Sequence, residues 1–429
     1  MTSRTITPAA SGLRGHLAVP SDKSIAHRAL LFGAIAHGTT SIRGFQGGRD
    51  NRATLAIGRA LGVAIDEHGE ELTITGTGFE GLRGSSRDLD CENSGTTMRL
   101  LTGVLAGSAF TSRLVGDGSL LRRPMRRVIE PLGRMGAHIV SEPGDGRAPL
   151  RIEGRPLHGV AHTLAVASAQ VKSAIVLAGL QASGTTRVEE PVRSRDHTER
   201  MLVDFGVTLR SDDRVVELVG PQRLHGTTID LPGDFSSAAF LLVAATLVPG
   251  SELTLTGIGL NPTRTGLLDA LIAMGADIEV TQEGHGAEPV GSLVVRHRPL
   301  HAIRIDGDLL VRSIDEFPVL CIAAARAEGT TEIRDAAELR VKESDRVAVM
   351  AEMLRDLGVG VEELPDGLII TGAGRLAGAR VNPRDDHRIA MAAAVAGLAG
   401  GAPVVIDDPD CAEVSFPGFY ATLAKAAGA

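Results

Sequence analysis

Asp386-His387-Arg388-Ile389 opens a helix-length run that continues through Val395 with no polar face. A helix that is apolar all round belongs inside a protein, so this segment is predicted to be buried. Burying His387 and Arg388 at its start is costly without anionic company, which favours a bound anion at that end. The arrangement recurs along the chain. Apolar helices also open at Ser24-Ile25-Ala26-His27-Arg28, Ser94-Gly95-Thr96-Thr97-Met98-Arg99, Ser168-Ala169-Gln170-Val171-Lys172, Ser236-Ser237-Ala238-Ala239-Phe240 and Asp315-Glu316-Phe317-Pro318. Of these six openings, four carry or adjoin a cationic side chain. Helix N-termini offer unpaired N–H groups and partial positive charge, which suits anions. If repeat symmetry converges these ends, the protein holds a strongly anionic small molecule.

Each opening belongs to a longer unit. The apolar helix is followed by a Gly-containing break, a short strand, an amphipathic helix ending in Gly, and two strands. The amphipathic helices close at Leu61-Gly62, Met135-Gly136, Phe205-Gly206, Met274-Gly275, Leu357-Gly358 and Ala427-Gly428, where Gly suits a left-handed C-cap. Their apolar spacing is helical, as in Val347, Met350, Leu354 and Leu357. Strand pairs follow, such as Val63-Ala64-Ile65 with Leu72-Thr73-Ile74. The pair missing after the last helix is expected from the N-terminus, as Arg4-Thr5-Ile6 and Leu13 to Val19, which would complete the last unit and bring the termini close. Three units in residues 21–230 and three in 231–429 plus 1–20 imply two similar domains. Crossovers fall at Pro20-Ser21-Asp22 and Leu231-Pro232-Gly233-Asp234. One continuous solenoid is the alternative, although solenoid repeats are usually shorter and more numerous.

Composition narrows the function. The 429 residues carry a net charge of −8 with mixed signs, so no basic surface for nucleic acid is expected. Trp is absent and Tyr420 stands alone, leaving few platforms for stacking bases. Cys91, Cys321 and Cys411 lie far apart without metal spacing and suit a reduced, cytoplasmic protein. No membrane segment is expected, because Gly breaks the apolar helices before they reach spanning length. No P-loop, GxGxxG turn, metal-ligand set or nucleophile elbow is present. The chemistry therefore points to polar work on phosphorylated substrates without metal or cofactor.

The polar residues at the helix starts are the candidates for that work. Lys23, Ser24 and Arg28 could share one phosphate or carboxylate. Asn93-Ser94-Gly95-Thr96-Thr97 lets backbone N–H groups approach an anion closely, although an ordinary N-cap explains it equally well. Arg122-Arg123-Pro124-Met125-Arg126-Arg127 puts four guanidinium groups at the start of an amphipathic helix, against the helix dipole. Arg pairs with planar carboxylate and phosphate, so one of these arginines is expected to serve a ligand. Lys342, Glu343 and Arg346 precede or open another helix, with a salt-bridged capping segment as the bland alternative. Asp315-Glu316 is either an N-cap or a base facing a substrate hydroxyl.

Together these stretches resemble a known family. Ser21-Asp22-Lys23-Ser24 with Arg28, Asn93-Ser94-Gly95-Thr96, Arg122-Arg123-Pro124-Met125, Asn261-Pro262-Thr263-Arg264, Arg340-Val341-Lys342-Glu343-Ser344-Asp345-Arg346, Asp386-His387-Arg388 and Ser415-Phe416-Pro417 are similar to 5-enolpyruvylshikimate-3-phosphate synthase, in the family's order. Ser168-Ala169-Gln170-Val171-Lys172-Ser173 and Arg195-Asp196-His197-Thr198-Glu199 resemble its second bacterial class. The resemblance implies an α/β (α+β) fold of two domains, each of three βαβαββ units, with buried helices inside and sheets outside. It places the active site in the cleft between them. It also implies enolpyruvyl transfer from phosphoenolpyruvate to the 5-hydroxyl of shikimate 3-phosphate by a cytoplasmic monomer.

Carried over by position, Lys23, Ser24, Arg28, Ser168, Ala169, Gln170, Arg195, Asp315 and Lys342 would hold shikimate 3-phosphate. Lys23, Gly95, Arg123, Gln170, Arg346 and Arg388 would hold phosphoenolpyruvate. Asp315, Glu343 and Lys23 would handle protons. Val414, Glu338 and His197 stand where one branch of the family has Lys, Asn and Tyr. Gly95 lacks the methyl that would crowd glyphosate, the family's inhibitor at the phosphoenolpyruvate site. Two rivals are the UDP-N-acetylglucosamine enolpyruvyl transferase, which has Lys-Asn where this chain has Lys23-Ser24, and a non-catalytic sugar-phosphate binder on the same fold.

Overall fold

Six inner helices follow the six apolar openings: Lys23–Ile35, Gly95–Leu105, Ala169–Gly179, Phe235–Leu247, Phe317–Arg326 and His387–Ala399. They belong to a computed structural model that describes residues 2–283 and 286–428. Every residue of Phe235–Leu247 and His387–Ala399 is buried, as their unbroken apolar sequence requires. Four of the six start on a side-chain cap. Asp22, Ser94, Asp234 and Asp386 accept from the backbone N–H groups of Ile25, Thr97, Ser236 and Arg388.

The covering helices are Arg49–Ala60, Arg126–Arg134, His197–Asp204, Gly266–Ala273, Arg346–Asp356 and Phe419–Ala426. Gly62, Gly136, Gly206, Gly275, Gly358 and Gly428 follow them with φ between 75° and 101°. Left-handed backbone is what Gly supplies without strain, so the six closing glycines act as the sequence indicates.

Among the described residues the strands form six sheets, five of them in one order. Leu89–Asp90 lies parallel to Thr111–Val115, which pairs antiparallel with Leu150–Glu153, and His138–Ser141 closes the edge. Parallel neighbours need a long crossover, and the inner helix Gly95–Leu105 supplies it. Ala161–Thr163 and Arg304–Ile305 open two further units in the same way.

The remaining openings use strands from elsewhere in the chain. Leu224–His225 and Thr228–Asp230 run parallel to Ala36–Arg43, and Arg14–Leu17 runs parallel to Glu252–Gly259. Ser3–Ile6 pairs antiparallel with Val404–Asp407 in the three-stranded sheet. The expectation that both N-terminal strands complete the last unit is therefore corrected for the second one. Arg14–Leu17 opens the fourth unit, because Pro20 O accepts from Asp234 N at 2.8 Å and fixes that strand's exit beside the start of Phe235–Leu247.

The chain forms two compact units: Ser21–Leu231, and Pro232 onward with the N-terminal stretch ending at Pro20. Each has its own core. In the first, Phe32, Leu101, Ile175 and Phe205 are fully or almost fully buried, and Phe32 meets Phe205 edge-on at 5.7 Å. In the second, Phe240, Ile322 and Ala393 lie in one cluster, with Phe240 against Phe419 at 5.9 Å.

Candidate active site

In the unit of residues 21–231, side chains tie together the starts of three inner helices. Arg28 donates through Nε to Thr198 Oγ1 at 2.7 Å, through Nη2 to Ser173 Oγ at 2.9 Å, and through Nη1 to Ser24 O at 3.0 Å. Gln170 donates to Thr96 Oγ1 at 2.8 Å and accepts from Arg99 Nη1. Arg123 donates to Asn93 Oδ1 at 2.8 Å. Gly95 lies against two guanidinium groups: a Cβ there would sit 2.7 Å from Arg99 Nη1 and 3.1 Å from Arg123 Nη1. Only the missing side chain lets both cations approach this helix start.

Lys23 Nζ lies 3.0 Å from Asp50 Oδ2, and the backbone oxygen of Lys23 accepts from Asn51 at 3.0 Å. Burial pushes the His27 imidazole down to about 3, with Lys23 and Arg28 assisting and Asp50 opposing. His27 is therefore neutral at ordinary pH, and the positive charge comes from Lys23, Arg28, Arg99 and Arg123. Of the residues expected from sequence, Lys23, Ser24, Arg28, Gly95, Ser168, Ala169 and Gln170 stand at the three helix starts. Arg195 lies just before the covering helix His197–Asp204. This set is suited to gripping the oxygens of a small anion.

The other unit puts a carboxylate at the start of every inner helix and threads arginines between them. Arg264 lies 2.7 Å from Asp234 and 3.8 Å from both Asp315 and Glu316. Arg346 lies 2.8 Å from Asp386, 2.8 Å from Glu343 and 3.6 Å from Asp315. Arg388 lies 3.8 Å from the Asp315 and Glu316 carboxylates and donates to Asp315 O at 2.8 Å. Ser236 Oγ also donates to Glu316.

Asp234, Glu316 and Asp386 are buried, whereas the Asp315, Glu343 and Lys342 side chains keep 19%, 17% and 25% exposure. The accessible edge of this buried ionic cluster thus consists of the residues expected to meet substrate. Burial would raise the Asp386 carboxyl, but Arg346 outweighs it and holds the group below its ordinary range. Burial acts likewise on Asp234, and Arg264 with Arg388 outweighs it. At Lys342 burial prevails over Asp315, Glu338 and Glu343, so its ammonium titrates below the usual lysine range.

One sequence expectation changes in detail. The four arginines of residues 122–127 do not share one helix start: Arg122 ends the short helix Gly118–Arg122, Arg123 follows it, and Arg126 opens the next. The break at Pro124 isolates Arg123, which is buried, from its exposed neighbour Arg126. The capping segment expected before Arg346 forms, with Asp345 as the cap of Arg346–Asp356 accepting from Ala348 N, while Ser344 donates to Asp386 at 3.0 Å.

Arg99 and Arg264 lie in the motif stretches without a role assigned from sequence, and of the Asp315-Glu316 pair Glu316 takes the buried helix-start position. A charged side chain one turn into an apolar helix was the available signal for Arg99. Non-glycine left-handed backbone precedes two of the helix starts, at Glu92 and at Arg384-Asp385. Such strain gathers where the surroundings hold a loop in a functional shape. Among the described residues no group of His, Cys, Asp and Glu is placed to hold a metal ion.

Helix starts that combine clustered arginines with buried carboxylates, on a sixfold-repeated fold, define a class of protein suited to small anions. The family model described as EPSP synthase (3-phosphoshikimate 1-carboxyvinyltransferase) matches residues 8–423, and the chain belongs to that family. It is 54% identical to the 3-phosphoshikimate 1-carboxyvinyltransferase of Geobacter sulfurreducens, over 97% of this chain and 98% of that one. Against the enzyme of the same name from Halorhodospira halophila it is 56% identical, covering 96% and 94%. The solved structure of EPSP synthase from Acinetobacter baumannii superposes with a TM-score of 0.88 at 44% identity, covering 99% of this chain and 98% of that one.

Proposed function

We propose that this chain transfers the enolpyruvyl group of phosphoenolpyruvate to the 5-hydroxyl of shikimate 3-phosphate. The products are 5-enolpyruvylshikimate 3-phosphate and phosphate, on the route to chorismate and the aromatic amino acids. Beyond family membership, one observation carries this reading: Asp315 stands at the accessible edge of a buried cluster, with three guanidinium groups within 3.8 Å. Such a carboxylate is placed to take a proton from an attacking hydroxyl, beside cations that an anionic donor would share.

In the proposed division of labour, Ser24, Arg28, Ser168, Ala169, Gln170 and Arg195 hold shikimate 3-phosphate, together with Lys342. Lys23, Gly95, Arg123, Gln170, Arg346 and Arg388 hold phosphoenolpyruvate. Arrival of that anion at Arg346 and Arg388 takes charge compensation away from Asp315, which makes it a better proton acceptor. Asp315 removes the 5-hydroxyl proton as the oxygen attacks the enol carbon of phosphoenolpyruvate. Glu343, with Lys23, delivers a proton to the methylene carbon, and a tetrahedral intermediate forms. The same groups then take a proton from the new methyl as the bond to the phosphate oxygen breaks. Each well-placed donor that meets the shifting charge contributes about 3 kcal/mol in comparable enzymes.

The test is phosphate release from phosphoenolpyruvate. Release with shikimate 3-phosphate, and none with UDP-N-acetylglucosamine, is expected. Release only with the nucleotide sugar identifies the sister transferase, and release with neither leaves the non-catalytic binder. The chain is further proposed to act as a cytoplasmic monomer. Among the described residues no helix is long and apolar enough to cross a membrane, and a sedimentation mass near the 44.7 kDa of one chain is expected.

A further inference from the structure

Behind the helix starts of residues 21–231 lies a buried ion cluster that the reaction scheme does not use. Lys172 Nζ sits 2.8 Å from Glu190 and 2.7 Å from Glu199, and all three side chains are at most 3% exposed. Burial opposes the Lys172 charge, but the two carboxylates outweigh it and raise its titration above the usual lysine range. Buried ion triads add little net stability compared with apolar packing of the same volume. The arrangement therefore calls for another reason, and the Glu190 hydrogen bonds supply one.

Glu190 accepts from Ser168 N at 3.2 Å, from Ser194 N at 3.3 Å and from Ser194 Oγ at 2.6 Å. Ser168 begins the third inner helix without capping it by its own side chain. Ser194 immediately precedes Arg195. One carboxylate thus clamps the backbone of two separate segments, both proposed to hold shikimate 3-phosphate. The Lys172 ammonium adds a contact to Ser194 O at 3.4 Å. Its second carboxylate, Glu199, lies next to Thr198, the residue that receives Arg28 Nε. Ser168, Arg195 and Arg28 are accordingly all referenced to one buried lysine.

We infer that Glu190, locked by Lys172, is a positioning residue that sets the distance between the Ser168 and Arg195 segments and so tunes recognition of shikimate 3-phosphate. The inference rests on the function proposed above. It touches neither phosphoenolpyruvate nor proton transfer, because Glu190 contacts none of Lys23, Arg123, Asp315 or Glu343. Small displacements of substrate-holding groups lower affinity for the substrate they hold, and that signature separates positioning from general loosening.

The experiment compares steady-state constants of the full-length wild type with those of Glu190→Gln and Ser194→Ala. Phosphate release by the wild type is the reference, so failure of the functional reading would already show there. In Glu190→Gln the KM for shikimate 3-phosphate should rise about tenfold, while kcat and the KM for phosphoenolpyruvate change less than about threefold. Ser194→Ala removes one donor and leaves the ion cluster intact, so it stays informative if Glu190→Gln does not fold. It should show the same selective rise at about threefold. An unchanged KM for shikimate 3-phosphate in a folded variant overturns the inference. So does a parallel loss in both KM values and kcat, since that reports only a weakened frame.

Discussion

The two halves of the molecule repeat one architecture and differ in charge at the same places. At the inner-helix starts of residues 21–231 stand Asp22, Ser94 and Ser168, and the nearby ionic groups are mostly Lys23, Arg28, Arg99 and Arg123. The corresponding positions after Pro232 are Asp234, Glu316 and Asp386, each met by an arginine within 3.8 Å. The first half has the surplus of cation that binding needs; the second carries carboxylates already balanced by arginine. On the proposed reading the first half mainly grips anions, while the second adds Asp315 and Glu343 for proton handling to Arg346 and Arg388, which also hold phosphoenolpyruvate.

The sharpest way to break this division is Asp315→Asn. The amide keeps the shape but cannot take the hydroxyl proton, so turnover should fall at least about a hundredfold, towards the 10⁴-fold limit of general-base effects. Binding of shikimate 3-phosphate, measured by calorimetry, should remain near normal. Full turnover would remove Asp315 from proton handling. In the other half, Arg123→Lys exchanges a planar fork for a point charge. We expect the KM for phosphoenolpyruvate to rise about tenfold with kcat less affected. A fall in kcat alone would mean that Arg123 serves the chemistry and not only the grip on phosphoenolpyruvate.

Gly95→Ala probes the same cationic pocket more gently. The new methyl would have to displace Arg99 Nη1, 2.7 Å from its position, and would press on Arg123 Nη1 at 3.1 Å. The KM for phosphoenolpyruvate should rise about fivefold, with glyphosate inhibition weakened further. Equal effects on the two ligands, or none, would show that the guanidinium groups swing aside freely.

The halves should also separate on acidification. His27 titrates at about 3 when folded and near 6.5 otherwise. Its folded value is depressed, so the stability tied to neutral His27 is fully present above pH 6.5 and is lost progressively as pH falls towards 3. That amounts to about 2 kcal/mol between pH 7 and pH 5. Asp234 and Asp386 are likewise held below their ordinary value of 3.8, so their contribution is lost only at still lower pH. Urea unfolding should therefore show the mild-acid loss, to which His162, pushed down to about 4 by burial, adds a similar amount, and His27→Gln should abolish about half of it. A variant with the wild-type slope would assign the loss to another group.

Much of the frame was legible because its signals are local. An apolar run without a polar face, and a Gly one residue past an amphipathic helix, each depend on a dozen neighbours, and all six copies formed as read. The strand character of Leu13 to Val19 was equally plain, but its sheet was not: alternation specifies a strand, while the partner depends on where the chain returns at Asp234. The buried ionic partners were least legible. Arg99 meets Gln170 and Arg264 meets Asp234 across 71 and 30 residues. Nothing local marks which of many arginines will be buried beside which carboxylate, and Glu190 looked like any surface glutamate.

The smallest effect tests whether the halves share a frame despite their different charges. Gly358 closes a covering helix at φ 77°, and a Cβ there would meet only Ala377 Cβ at an ordinary 3.6 Å. Its replacement by Ala should cost about 1 kcal/mol, from left-handed backbone alone. Gly136, at the equivalent point of the other half, has φ 101° and the Pro156 carbonyl oxygen 3.3 Å from a would-be Cβ. Gly136→Ala should cost more than Gly358→Ala by that added contact. Neither should alter kcat, because both glycines lie at the far end of a covering helix from the substrate-holding segments. A loss of activity at Gly358 without a loss of stability would show that the covering helices are part of the site and not merely its support.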